Sequence, residues 1–159
     1  MNITVKFKLN GKEITKTLTE NKRALDFLRD DMLVTSLKEG CGVGECGVCT
    51  ILVNNKAVNS CLMLTEQLND EEVYTIEGLM EFAEFKKLQN NFLTHGAVQC
   101  GFCTPGMLIS SYALMLKNKN ATIEEIKQAI SGNLCRCTGY KPIIKAIDST
   151  INGELDVKN

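Results

Sequence analysis

Hydrophobic and polar residues alternate along the N-terminal stretch of the chain. From Ile3 to Leu9 every second residue is hydrophobic and those between are polar or charged, which is the period of a half-buried β-strand. Asn10–Gly11 follows at once, and this dipeptide is the strongest short-range signal for a hairpin turn. The pattern therefore predicts an opening β-hairpin whose second strand covers about residues 13–19.

A helical spacing follows the hairpin. Leu25, Leu28 and Met32 lie three and four residues apart, which places them on one face of a helix. We expect a short amphipathic helix over about residues 23–32.

Strand signals return further along. Residues 50–53 and 57–59 flank Asn54–Asn55 and predict a second hairpin, and residues 73–76 predict a last strand. Strands combined with one helix favour a β-grasp sheet for this half of the chain.

Around Gly78 the hydrophobic period changes from two residues to about 3.6, and four helices are predicted beyond it. Their boundaries are marked by helix-end signals: Gly96 after the first, Thr104 as a cap before Pro105 in the second (105–116), the capping box Thr122–Glu125 and terminator Gly132 around the third, and Lys141–Pro142 before the fourth. The whole chain is predicted to be α+β, with a β-grasp ferredoxin-like domain over residues 1–78 and a four-helix bundle domain over residues 79–159.

Eight cysteines give the chain its candidate chemistry. Cys41, Cys46 and Cys49 share one glycine-rich loop at C-x4-C-x2-C spacing, and Cys61 follows after eleven residues. This is the start of the plant-type 2Fe–2S spacing. The glycines of the loop permit positive φ and can aim backbone N–H groups at charged sulfur atoms.

A second quartet lies in the helical half. Cys100 and Cys103 form a C-x2-C pair, and Cys135 and Cys137 form a C-x-C pair after a gap of 31 residues. We expect two tetrathiolate iron–sulfur centres, although the second spacing is also compatible with structural zinc. Disulfides are the remaining alternative, but the closely paired cysteines and the lack of a secretory signal favour metal ligation.

Composition excludes several other classes of function. The 18 Lys and Arg residues are balanced by 19 Asp and Glu residues, so charge gives no reason to expect nucleic acid or an acidic membrane as a partner. No hydrophobic run approaches the ~18 residues needed to cross a bilayer, and the N-terminus has no signal-peptide core. We therefore expect a cytoplasmic protein.

Other chemically suggestive residues have simpler explanations. His95 is the only histidine, which excludes a Rieske centre because that needs two; we expect its ring to interact with a helix C-terminus. Arg136 could pair with thiolate charge or with a partner protein. Glu39 and Glu45 flank the first cysteine loop and are interpreted as solvated charges rather than as a catalytic pair.

Three segments together resemble a known family. Residues 40–50 (GCGVGECGVCT), 98–106 (VQCGFCTPG) and 132–140 (GNLCRCTGY) look like the small iron–sulfur subunit of the xanthine dehydrogenase family, the molybdenum hydroxylases. The resemblance runs over about residues 3–150, and all eight cysteines fall on the family pattern. It implies one 2Fe–2S cluster in each half, the C-terminal cluster facing a molybdopterin and the N-terminal cluster facing a flavin. It also implies that Gln99 and Cys137 contact the pterin.

The function implied by this resemblance is electron transfer within an oxidoreductase. The chain is expected to relay single electrons from a molybdopterin-binding large subunit to an FAD-binding medium subunit, with no catalytic residue of its own. The chain stops at Asn159, so we expect those partners to be separate polypeptides. The alternatives are a free-standing two-cluster ferredoxin and a zinc-stabilised interaction module without redox activity.

Overall fold

A computed structural model describes residues 2–153 and shows an α+β protein with one mixed sheet. The sheet has five strands in the order β2-β1-β5-β3-β4. The strands are β1 (Ile3–Leu9), β2 (Lys12–Leu18), β3 (Thr50–Val53), β4 (Lys56–Asn59) and β5 (Glu72–Tyr74). The two predicted hairpins, β1–β2 and β3–β4, are both present and antiparallel. β5 lies between them and pairs parallel with β1.

The predicted helix over residues 23–32 is present but is not a regular α-helix. One α-helical turn, α1 (Ala24–Asp26), continues into a wider turn over Phe27–Asp31. In that turn the N–H of Met32 donates to the carbonyl of Phe27, five residues back. Phe27 and Leu28, both in this wider turn, are completely buried. The spacing of Leu25, Leu28 and Met32 does not reveal that these two neighbouring residues are buried together.

The predicted strand over residues 73–76 is too long by two residues. β5 ends at Tyr74, and a short helix, α2 (Ile76–Leu79), begins directly afterwards. The physical cause is a tertiary contact, because the side-chain oxygen of Asn10 accepts a hydrogen bond from the N–H of Thr75 at 2.8 Å. Thr75 is thereby paired with the tip of the first hairpin instead of with a neighbouring strand.

Four helices occupy the second half, as predicted. They are α3 (Ala83–Thr94), α4 (Thr104–Lys117), α5 (Ile123–Ala129) and α6 (Lys141–Asn152). Their apolar faces meet in one core that includes Phe85, Ile126 and Ile143, each fully buried. The capping box of Thr122 and Glu125 is confirmed.

Two of the predicted helix ends are wrong. Cys103, and not Thr104, is the N-cap of α4, and no side chain caps that end. α5 closes at Ile130 rather than at Gly132. The N–H groups of Ser131 and Asn133 donate to carbonyls three residues back, those of Gln128 and Ile130, and so lead the chain out of the α-helix.

The two halves are packed against each other. Leu52 on β3 is 1% exposed and belongs to the core of the helical half, where α4 lies against β3. A second core lies on the sheet and includes Val5, Phe27 and Leu68. Within residues 2–153 no helix is long and apolar enough to cross a membrane.

Candidate metal centres

The first cysteine loop folds its backbone around the sulfur of Cys41. The backbone N–H groups of Val43, Glu45 and Cys46 donate to Cys41 Sγ at 3.4, 3.3 and 3.4 Å. These donors lower the pKa of the Cys41 thiol from 9.0 to about 7, with Val43 making the largest contribution. The loop can wrap in this way because glycines adopt positive φ at Gly42, Gly44 and Gly47.

The β3–β4 hairpin brings the fourth cysteine back to this loop. Cys49 and Cys61 are both buried, and the Ser60 hydroxyl, donating to the carbonyl of Cys49 at 2.7 Å, holds their backbones together. Burial and the adjacent thiol of Cys49 raise the pKa of Cys61 to about 11. The Asn59 side chain donates to the carbonyl of Gly44 at 3.0 Å and ties the hairpin to the loop.

The second quartet forms where α4 begins and the segment before α6 returns. Cys100 Sγ and Cys137 Sγ lie 3.7 Å apart. Burial and the neighbouring thiol of Cys135 raise the pKa of Cys103 to about 12. The C-x2-C and C-x-C pairs, separated by 31 residues in sequence, are therefore side by side.

Tyr140 and Thr138 fix the turn that carries the C-x-C pair. The Tyr140 hydroxyl accepts from the N–H of Cys135 at 2.8 Å and donates to the carbonyl of Asn133 at 3.0 Å. The Thr138 hydroxyl lies 3.1 Å from Cys135 Sγ. Burial alone would raise the pKa of Cys135, but the hydrogen bonds from Thr138 lower it.

The two cysteine loops touch each other. The N–H of Leu134, next to Cys135, donates to the carbonyl of Cys46 at 2.9 Å. The buried Asn133 side chain donates to the carbonyl of Gly47 at 3.1 Å. One backbone hydrogen bond therefore connects the two quartets: it joins Cys46 of the first to Leu134, which precedes Cys135 of the second.

The donor set fits 2Fe–2S clusters. Each half offers four free thiols, and a Cβ at Gly40 would come within 2.9 Å of Cys46 Sγ, so glycine leaves the space beside that sulfur. In the described part of the chain, no three His, Cys, Asp or Glu side chains are arranged to hold one metal ion. A 2Fe–2S core spreads four thiolates over two irons.

The other residues that the sequence brings to attention lie as follows. Gln99 and Arg136 are exposed beside cysteines of the second quartet. His95 is the C-cap residue of α3 through its backbone N–H. Its ring Nε2 is buried and has no hydrogen-bond partner among the described residues, so the expected interaction of the ring with the helix end stays a prediction. Glu39 and Glu45 are both exposed, as interpreted from the sequence, and Glu39 also pairs with Arg23 at 2.9 Å.

Sequence reasoning missed three residues that position these loops: Arg23, Asn133 and Tyr140. Asn133 and Tyr140 lie inside the GNLCRCTGY segment, so their presence in a motif was the available signal. The role of Asn133 depends on a contact with Gly47, 86 positions away, which no local pattern contains. Tyr140 bonds Cys135 and Asn133 within its own segment, but the spacing of the cysteines does not reveal those bonds.

Comparison with known proteins gives matches over nearly the whole chain. A family model described as a 2Fe–2S iron–sulfur cluster binding domain matches residues 7–79, and a second, described as a 2Fe–2S binding domain, matches residues 75–148. The nicotinate dehydrogenase small FeS subunit of Eubacterium barkeri is 49% identical over 91% of this chain and 92% of that protein. The xanthine dehydrogenase iron–sulfur-binding subunit of Escherichia coli O157:H7 is 40% identical over 91% and 92%.

A solved structure shows the same fold. A chain of quinoline 2-oxidoreductase from Pseudomonas putida 86 superposes with a TM-score of 0.86 at 36% identity, covering 97% of this chain and 99% of that chain. The fold, the cysteine pattern and the similar proteins therefore all indicate the same family.

Proposed function

Because this chain belongs to the small iron–sulfur subunits of the molybdenum hydroxylase family, we propose that its two cysteine quartets carry electrons between two different partner subunits. The N-terminal quartet is Cys41, Cys46, Cys49 and Cys61, and the C-terminal quartet is Cys100, Cys103, Cys135 and Cys137. A 2Fe–2S cluster in each quartet supplies one-electron redox chemistry. In this proposal residues 1–78 form the ferredoxin-like domain and residues 79–159 form a four-helix bundle domain.

One observation carries the proposal, the hydrogen bond from Leu134 N–H to the carbonyl of Cys46 at 2.9 Å. It links the two quartets by a short path of covalent bonds and one hydrogen bond, and the close contact of Gly47 with Asn133 holds that path in place. Two tetrathiolate sites that served only to stabilise separate halves would not need to be joined in this way.

The exposed ends of the two quartets suit two separate partners. Cys41 is exposed beside Val43 and Leu62, which are 64% and 63% exposed. Cys137 is exposed near Leu134, which is 61% exposed. These exposed apolar side chains give a partner subunit a surface to cover beside each quartet. Electrons can then enter at one quartet and leave at the other.

We assign the ends by the family's arrangement. Electrons enter from a molybdopterin in a large partner subunit at the C-terminal quartet, with Gln99 and Cys137 contacting the pterin, and leave from the N-terminal quartet to FAD in a medium subunit. The exposure of Gln99 and Cys137 supports this assignment. The assembly is proposed to be cytoplasmic.

The test is electron paramagnetic resonance on the dithionite-reduced complex, with reciprocal ligand variants. We expect two distinct 2Fe–2S signals, with Cys137→Ser removing the C-terminal signal and Cys61→Ser removing the N-terminal signal. Iron and acid-labile sulfide analysis should give two clusters per chain. A complex that contains zinc and no such signals would overturn the proposal, as would loss of both signals in each single variant.

A further inference from the structure

Arg23 is held by two carboxylates beside the first cysteine loop. Its Nε and Nη2 donate to the two oxygens of Asp26, both at 2.7 Å. Its Nη1 and Nη2 donate to the two oxygens of Glu39, both at 2.9 Å. Only a planar guanidinium can make two such bidentate pairs, so the arrangement specifies arginine and not merely a positive charge.

Glu39 carries this contact into the cysteine loop. It precedes Cys41 by two residues, and its Oε1 would lie 2.6 Å from a Cβ at Gly42. Gly42 has a φ of +68° and forms part of the turn from Cys41 to Cys46. The Glu39 carboxylate therefore fills the space that the missing side chain of Gly42 leaves.

The backbone around Arg23 is fixed to the segment that follows Cys61. The N–H of Ala24 donates to the carbonyl of Met63 at 2.8 Å, and the N–H of Thr65 donates to the carbonyl of Lys22 at 2.9 Å. Arg23 thus lies between the two chain segments that supply the first and the last cysteine of the N-terminal quartet.

We propose that Arg23 and Glu39 form a clamp that positions the Cys41–Cys46 loop and sets the reduction potential of the N-terminal cluster. The clamp rests on the proposed function, because it requires a cluster in that quartet. It acts through the loop, so both residues are positioning residues and not ligands.

The clamp also places a defined charge pattern beside the cluster. Arg23, Asp26 and Glu39 together carry one net negative charge. Reduction adds a negative charge to a cluster, so loss of the cation should disfavour reduction and loss of an anion should favour it. Arg23→Gln and Glu39→Gln are therefore expected to move the potential in opposite directions.

The experiment is potentiometric titration of both cluster signals in the purified complex. We expect Arg23→Gln to lower the N-terminal potential, and Glu39→Gln to raise it, each by on the order of a tenfold change in the reduction equilibrium, ~59 mV for one electron. Arg23→Lys keeps the charge but cannot make the two bidentate pairs. We expect it to change the g-values of the N-terminal signal while the C-terminal signal stays as in the wild type.

Lys119→Gln is the matched control, because it breaks an exposed pair with Glu84 at 2.7 Å in the helical half and should move neither potential. The proposal is contradicted if Arg23→Lys and Glu39→Gln both leave the potential and g-values of the N-terminal cluster unchanged. It is also contradicted if the potentials of both clusters shift together, which would indicate a general loss of structure. Absence of an N-terminal signal in the wild-type complex would instead overturn the proposed function.

Discussion

At the scale of single residues, Gly47 is the position where the two cysteine loops come closest. A Cβ at this position would lie 2.3 Å from the carbonyl oxygen of Gly132 and 2.6 Å from Asn133 Nδ2. Gly47→Ala is therefore expected to destabilise the protein by about 1–2 kcal/mol for its positive φ and by about 1–3 kcal/mol more for overpacking. Thermal unfolding together with iron content would measure both effects.

Gly96 provides the matched comparison for Gly47. Its φ is +65°, close to the +68° of Gly47, but a Cβ there would meet nothing within 4 Å. Gly96→Ala should lower the stability only through its positive φ and should leave the iron content unchanged. Equal losses in the two variants would show that the contact between the loops does not constrain position 47.

At the scale of secondary-structure elements, the sequence predicts the elements well where their pattern is local. Both hairpins and the four described helices of the second half lie where alternation and helical spacing place them, although the ends of α4 and α5 differ from the predicted ones. The cysteine spacing likewise identifies both loops that carry the thiols. Each hairpin and helix signal is contained within about 20 neighbouring residues, whereas the two pairs of the second cysteine quartet are 31 residues apart.

The misplaced end of β5 has a different origin, since it is decided by a distant contact. The strand β5 stops at Tyr74 because Asn10, at the tip of the first hairpin, binds Thr75. The contact of Asn133 with Gly47 spans 86 residues, and that of Arg23 with Glu39 spans 16. A sequence pattern contains the residues of such pairs but not their proximity.

Glu77, at the start of α2, contributes to the stability of the fold in a way that depends on pH. It accepts hydrogen bonds from Thr75 Oγ1 at 2.6 Å and from Ser36 Oγ at 2.8 Å, and so joins α2 to the segment leading into the first cysteine loop. Burial alone would raise the pKa of Glu77, but these bonds lower it below its ordinary value of 4.5. Its contribution to stability is therefore present above pH 4.5 and is lost as the pH falls through the lower pKa of the folded state.

Glu77→Gln should consequently lower the free energy of unfolding at pH 6 and have a diminishing effect as the pH falls below 4.5. Urea unfolding at several pH values measures this difference. Glu81→Gln is the control, because within the described chain the Glu81 side chain makes no hydrogen bond or ion pair, and it should show no such trend. A Glu77→Gln effect that does not diminish as the pH falls below 4.5 would contradict the assignment.

At the scale of the whole molecule, Asn133 makes one of the contacts that join the two halves. It is 4% exposed and donates to the carbonyl of Gly47 at 3.1 Å. Asn133→Asp keeps the shape but removes the donor and faces a carboxylate towards a carbonyl oxygen, so we expect a loss of about 1–3 kcal/mol. Because the same contact joins the two cysteine loops, we expect the magnetic interaction between the two reduced clusters to weaken as well.

The change in the magnetic interaction distinguishes a residue that links the two halves from one that only stabilises the fold. Asn91 donates to Thr150 Oγ1 at 2.8 Å inside the helical half, so Asn91→Ala should cost about 1 kcal/mol and leave the magnetic interaction intact. The interaction depends steeply on the distance between the two paramagnetic centres and is read from the line shape of the fully reduced complex. If Asn133→Asp lowers stability but keeps the wild-type line shape, then the spacing of the clusters is set by the packing of α4 on β3 and not by Asn133.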